Sequence, residues 1–191
     1  MESKSLNKIL YIFLLIIFLL PSCSKNTKLY DYSKSCKETS NISLSKRIEN
    51  YPFNISKKII FISYKQNKSG VEGTELSDYL KNLKLNQLKF NIKDVNQAYF
   101  LNKNNIDELT NLFYNIGSTD TRQATMNTGC FSYKNAILFL DENDYLIEYI
   151  KFSFECNKIE TSNENVTTGK KCTYKLFVIE DLFKKYNINT R

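Results

Sequence analysis

The stretch 129–157, GCFSYKNAILFLDENDYLIEYIKFSFECN, restricts the fold more than any other part of the chain. It holds two apolar, aromatic-rich runs joined by Asp141-Glu142-Asn143-Asp144. Runs of this length and composition read as β-strands, and an acidic, Asn-containing joint between them reads as a turn. A cysteine stands at each outer end, Cys130 and Cys156. With 142–144 as the loop, opposed residue numbers sum to 286, and Cys130 faces Cys156. A one-residue change in turn length would put the two on opposite faces of the sheet.

The hairpin sits late in a chain of 191 residues, a length that suits a single domain and suffices for a real core. Around it, 56–64 (SKKIIFISY) reads as a strand. Leu83 and Leu85, then Leu88, Phe90 and Ile92 beyond one bulge after Leu85, alternate as a second strand would, and 95–101 suggests a third. Ile106, Leu109, Leu112, Phe113 and Ile116 form one apolar face at helical spacing, with Asn104 or Asn105 as cap and Gly117 as stop. Leu176, Ile179, Leu182, Phe183 and Tyr186 form a second such face near the C-terminus. The expected class is α+β. It has an antiparallel sheet with the central β-hairpin 129–157, and two packed helices at about 104–116 and 173–187.

The N-terminus carries an address. Lys4 and Lys8 precede twelve apolar residues, 9–20, and Pro21-Ser22-Cys23 follow. A basic region, a short apolar run and small residues before a cysteine are signal-peptide anatomy, and the run is short of the ~20 residues a span needs. Leu20-Pro21-Ser22-Cys23 resembles the lipobox of bacterial lipoprotein signal peptides. That resemblance implies cleavage before Cys23 and acylation, with palmitate among the chains, at Cys23. The expected organisation is a signal peptide at 1–22, a polar flexible tether at 23–52 and one α+β domain at 53–191. Removing Lys4, Lys8 and Glu2 leaves a net charge of +6. Ser24 stands where an acidic residue would, by analogy, retain a lipoprotein in the inner membrane. No Lys-acidic-acidic export signal follows. The analogies imply the outer membrane, on its periplasmic face.

Four cysteines remain beyond Cys23: Cys36, Cys130, Cys156 and Cys172. An even number in an exported chain implies disulfides, and no Cys-x-x-Cys pair suggests a metal site. The hairpin register supports Cys130–Cys156 with Cys36–Cys172. Sequence proximity supports Cys156–Cys172 with Cys36–Cys130 and is preferred, because it holds for any turn type.

Histidine is absent, which removes Ser-His-Asp and Cys-His catalysis and His-ligated zinc. Asp141, Glu142 and Asp144 lack calcium-loop spacing, since Tyr145 stands at a ligand position and no Gly follows. They read as a solvated turn. Glu148 and Glu155 lie inside apolar strands, and one of the two is expected to be partly buried and paired with Lys134 or Lys151, a structural role. The aromatics Phe131, Tyr133, Phe139, Tyr145, Tyr149, Phe152 and Phe154 read as core. The stretch Thr167-Thr168-Gly169-Lys170-Lys171 has the wrong order for a phosphate-binding loop. Lysines are scattered, and only Arg47, Arg122 and Arg191 offer forks for phosphate, so nucleic acid is not an expected partner. No catalytic residue, metal ligand or cofactor is assigned. The expected function is a non-enzymatic, membrane-anchored envelope module that binds a protein partner. The alternative is a carboxylate- or Lys-dependent enzyme acting on cell-envelope polymers.

The hairpin also resembles a group of small lipoproteins of Bacteroidota. The matches are Cys130, Phe131, Asn135-Ala136-Ile137, Phe139 and Asp141, then Ser153-Phe154-Glu155-Cys156. Leu182-Phe183-Lys184-Lys185-Tyr186 is similar to the end of that group. Tyr133-Lys134 replaces the group's Pro-Arg, Ser153 replaces a cysteine, and Cys36 is additional, which implies a rewired disulfide. The resemblance implies location and fold and carries no chemistry.

Overall fold

The computed structural model describes residues 36–65, 74–118, 132–172 and 174–190. All belong to one compact unit covering 32–191. Its centre is three strands whose sequences are apolar almost throughout. They are β2 (Lys58–Ser63), β5 (Asn135–Leu140) and β6 (Leu146–Ser153). Such runs do not alternate because both faces are covered. With β3 (Gln97–Phe100) and β7 (Lys158–Thr161) they form an antiparallel sheet in the order β3-β2-β5-β6-β7.

Successive side chains point to opposite faces. Ile59, Phe61, Ile137, Phe139, Ile150 and Phe152 meet Leu109, Leu112 and Phe113 of α3 (Lys103–Tyr114) and Ile179, Leu182 and Phe183 of α4 (Lys175–Lys185). The Phe61 and Phe183 rings stack at 4.3 Å. On the other face, Ile60, Ile62, Leu138 and Leu140 meet Leu76, Leu80 and Leu83 of α2 (Glu75–Leu85). The α+β class stands, and a third layer is added to it.

That layer corrects the strand expected around 83–92. Leu76, Leu80 and Leu83 are spaced for a helix and are buried, whereas Leu85 is 81% exposed. Glu75 and Asp78 in the first turn and Lys84 in the last complement the helix dipole. The alternation at 83–92 straddles a helix end, an isolated bridge from Lys89 to Tyr145 and a 3-10 turn at Ile92–Asp94.

The hairpin turn forms as expected: the Asp141 N–H donates to the Tyr145 carbonyl at 3.0 Å, and Leu140 pairs with Leu146. A bulge then shifts the register, and Phe139 pairs with Glu148. From there outward opposed numbers sum to 287, as at Asn135↔Phe152, and the strands end well inside 129–157. The register therefore carries no argument about Cys130 and Cys156.

Two more boundaries differ. The cap of α3 is Asn102, whose side chain accepts from the Asn105 N–H while Asn105 accepts from the Asn102 N–H, each at 3.0 Å. Such a reciprocal cap satisfies two otherwise unpaired donors. Asn115, not Gly117, ends the helix, and β4 (Ile116–Gly117) pairs with β1 (Lys37–Glu38). A side chain at Gly117 would come within 2.6 Å of the Lys170 Cβ, which explains the glycine there.

The part of the expected tether from 36 to 52 is folded instead. From Cys36 the chain is part of the domain, through β1, α1 (Leu44–Arg47) and the core residue Phe53. The Thr39 N–H donates to the Asn115 carbonyl at 2.7 Å, and the Ile42 N–H donates to the Asn115 side chain at 2.8 Å. Arg47 is buried, donates to Thr110 Oγ1 at 3.1 Å and pairs with Asp107 on α3. Polar anchors hold this segment, so its polarity in the sequence misreads as solvation.

Candidate functional site

The cysteines come first because their pairing decides which parts of the surface are fixed. Cys36 and Cys172 are bonded, with their Cα atoms 5.3 Å apart. This overturns the preferred set, Cys156–Cys172 with Cys36–Cys130. Proximity in sequence fails because β7 and the following loop carry Cys172 away from Cys156 toward the end of α3. There the Ser118 N–H donates to the Lys171 carbonyl at 3.0 Å and Lys170 Nζ to Ser40 Oγ at 2.8 Å. Cys156 is itself disulfide-bonded. Cys23 and Cys130 lie outside the described residues, as does Phe131.

The acidic turn is occupied with its own geometry. Asp141 accepts from the N–H groups of Asn143 and Tyr145, at 2.8 and 2.9 Å, an Asx-type turn. Asp144 holds a left-handed backbone at φ +70° and pairs with Lys58 at 2.7 Å. Glu155 pairs with Lys134 at 2.9 Å, as one of the sequence readings had it. Of the aromatics singled out, Tyr133, Phe139, Tyr149 and Phe152 are buried, whereas Tyr145 is partly exposed.

Glu148 takes other partners. It is 4% exposed and accepts from four side chains: Lys84 Nζ at 2.5 Å, Asn163 Nδ2 at 2.5 Å, Tyr51 Oη and Ser162 Oγ. Burial pushes its carboxyl up, and the bonds from Lys84, Ser162 and Tyr51 outweigh that and hold it below the ordinary 4.5. Burial, then the neighbouring carboxylate, raises the Tyr51 phenol. The carboxylate joins β6 to α2, to the 50–57 turn and to the loop after β7. Lys151, the other candidate partner, donates to Ser77 Oγ at 2.8 Å and pairs with Glu160 at 2.8 Å. Its ammonium sits 4.4 Å over the Tyr133 ring.

Lys175 was not singled out by any pattern. It opens α4, is 4% exposed and sends Nζ to four carbonyls: Phe113 at 2.7 Å, Ile116 at 3.1 Å, Thr168 at 2.7 Å and Lys170 at 2.5 Å. Gly169 makes this cage possible. At φ +69° it lets the chain pass so close that a Cβ would lie 2.1 Å from the Phe113 carbonyl oxygen. The Thr-Thr-Gly-Lys-Lys stretch is therefore a backbone clasp around an ammonium. Burial pulls Lys175 down to about 7. Between pH 7 and 10.5 the unfolded chain holds a proton that the folded one releases, so this group makes stability rise with pH across that window. Lys175→Met should abolish that rise. It should also cost ~2–3 kcal/mol at pH 7, because the carbonyls lose their donor. Urea midpoints of both proteins from pH 6 to 10 measure both effects; parallel pH profiles would refute the assignment.

Comparison of the chain with protein-family profiles, with curated proteins and with solved structures finds no significant match.

Proposed function

We propose that this chain is a lipid-anchored cell-envelope protein whose α+β domain acts without catalysis, by binding another protein. The observation that carries the reading is the Cys36–Cys172 bond downstream of a lipobox-like Leu20-Pro21-Ser22-Cys23. A structural disulfide belongs in an oxidising compartment, which is where a lipoprotein signal delivers its cargo. Twelve residues lie between Cys23 and Cys36, at most ~45 Å of extended chain, so the domain works close to the bilayer. Ser24 and the residues after it favour the outer membrane and its periplasmic face.

The non-enzymatic part rests on how the candidate groups are used. Asp141, Asp144, Glu148 and Glu155 are each held by turn N–H groups or by lysines. Lys175, whose pKa near 7 would suit a Lys-dependent enzyme, is enclosed by four carbonyls. Neither arrangement favours the enzyme reading.

Mass spectrometry of the membrane-extracted protein should find an N-terminus at Cys23 with its acyl mass. An intact Met1 or an unmodified Cys23 removes the anchor. Mild cross-linking in intact envelopes, followed by purification in detergent, should trap a defined second protein. Recovery of the chain alone rejects the binding role.

A further inference from the structure

On the face of the domain near α1 lies a groove of about 340 Å³, in the range of small-ligand sites. Its apolar lining comes from three regions that the sequence reading separated. Leu44 and Ile48 belong to the α1 segment, Phe53 and Ile59 to the turn and start of β2, and Ile106 to α3. Ile48 is 39% exposed, so apolar surface is left open at the mouth.

The same groove is lined by Lys57 and Lys103. Both are exposed, and neither has a carboxylate partner among the described residues. The local carboxylates are committed elsewhere: Glu49 pairs with Lys46 at 3.2 Å, and Asp107 pairs with Arg47. Lys103 is also the first residue of α3, where the helix dipole adds positive potential. The rim is thus cationic and the lining apolar.

We infer that this groove binds a single-chain amphiphile with an anionic head, a medium- or long-chain fatty carboxylate. The alkyl chain lies along Leu44, Ile48, Phe53, Ile59 and Ile106, and the carboxylate meets Lys57 and Lys103. Concavity favours this occupant over a bilayer surface: a bilayer is entered by protruding apolar side chains, whereas an isolated acyl chain loses its contact with water by being enclosed. The inference does not depend on the lipid anchor or on a protein partner.

The test is a titration of the full chain, labelled with [13C]methyl isoleucine, with dodecanoate below its micelle concentration at pH 7.5. Saturable shifts of the Ile48, Ile59 and Ile106 methyls are expected. Dodecan-1-ol should bind at least tenfold more weakly, as should dodecanoate to K57E/K103E. The milder K57Q/K103Q should lie between, and unchanged urea midpoints would show that both variants fold. Shifts confined to Ile9, Ile12, Ile16 and Ile17 would mean adventitious binding to the N-terminal apolar run and would overturn the inference. Equal affinity for the alcohol would remove the role of the lysines. A response only to phosphatidylglycerol vesicles would replace the fatty carboxylate with a bilayer surface, and a response only to an apolar acidic peptide would replace it with a protein segment.

Discussion

Replacing Cys36 and Cys172 together by serine should lower the unfolding free energy by about 4–5 kcal/mol, the largest single effect expected in this domain. The bond joins residues 136 positions apart, and closing a loop of that size restricts the unfolded chain by ~5 kcal/mol in the chain-entropy treatment. Domains of this size are commonly stable by only ~5–15 kcal/mol, so the variant would be marginal at 37 °C. The loss has a local signature as well. The bond ties the start of β1 to the residues just before α4, and β1 pairs with β4 through two residue pairs only. Hydrogen exchange should therefore quicken first at Thr39 and Ile42, whose N–H groups donate to Asn115. Urea unfolding of the oxidised wild type and of the double variant measures the global term. A difference below about 1 kcal/mol would mean that Arg47 and Asn115 hold the segment without help.

The sheet was legible because its strands say one thing at every level. IIFIS, NAILFL and LIEYIKFS are rich in Ile, Leu, Phe and Tyr, and both of their faces are buried. The faces of α3 and α4 were legible because Leu109, Leu112 and Phe113, and Ile179, Leu182 and Phe183, repeat at helical spacing and enter one core. Where two periods overlapped, the reading failed. Leu83, Leu85 and Leu88 alternate like a strand, yet Leu76, Leu80 and Leu83 already define a helix face, and burial follows the second set. Charged residues were the least legible. Lys, Arg and Glu in sequence suggest solvent, because a buried charge is tolerable only with partners. Those partners lie far along the chain: 60 positions from Arg47 to Asp107, 62 from Lys175 to Phe113, and 97 from Glu148 to Tyr51. No local pattern records such pairs, and the same is true of the disulfide. The groove beside α1 was hidden for a related reason. It needs the segment at 44–53 to be folded, and polar anchors rather than apolar periodicity fold it.

Glu148→Ala is the second large effect and the one that tests how the polar end of the sheet is held. The substitution removes one carboxylate and leaves four donors, on Lys84, Tyr51, Ser162 and Asn163, without their acceptor. Removing one partner from a buried charge pair costs ~3–5 kcal/mol, and the Lys84 side chain, 32% exposed, can regain some water, so ~3 kcal/mol is the expected loss. Glu148→Gln keeps an acceptor oxygen but not the charge, and should cost about 1–2 kcal/mol. The pH dependence separates electrostatics from packing. The folded carboxyl titrates below the ordinary 4.5, so its contribution is present above that value and is lost as pH falls through the folded one. Wild type should therefore lose more stability than Glu148→Gln between pH 5 and 3, and the two should converge in acid. Chemical denaturation at half-unit pH steps reads this directly. Were the gap between them constant across that range, the four donors would be binding a shape and not a charge. Glu148 would then be a packing residue, and the depression of its pKa would have no part in stability.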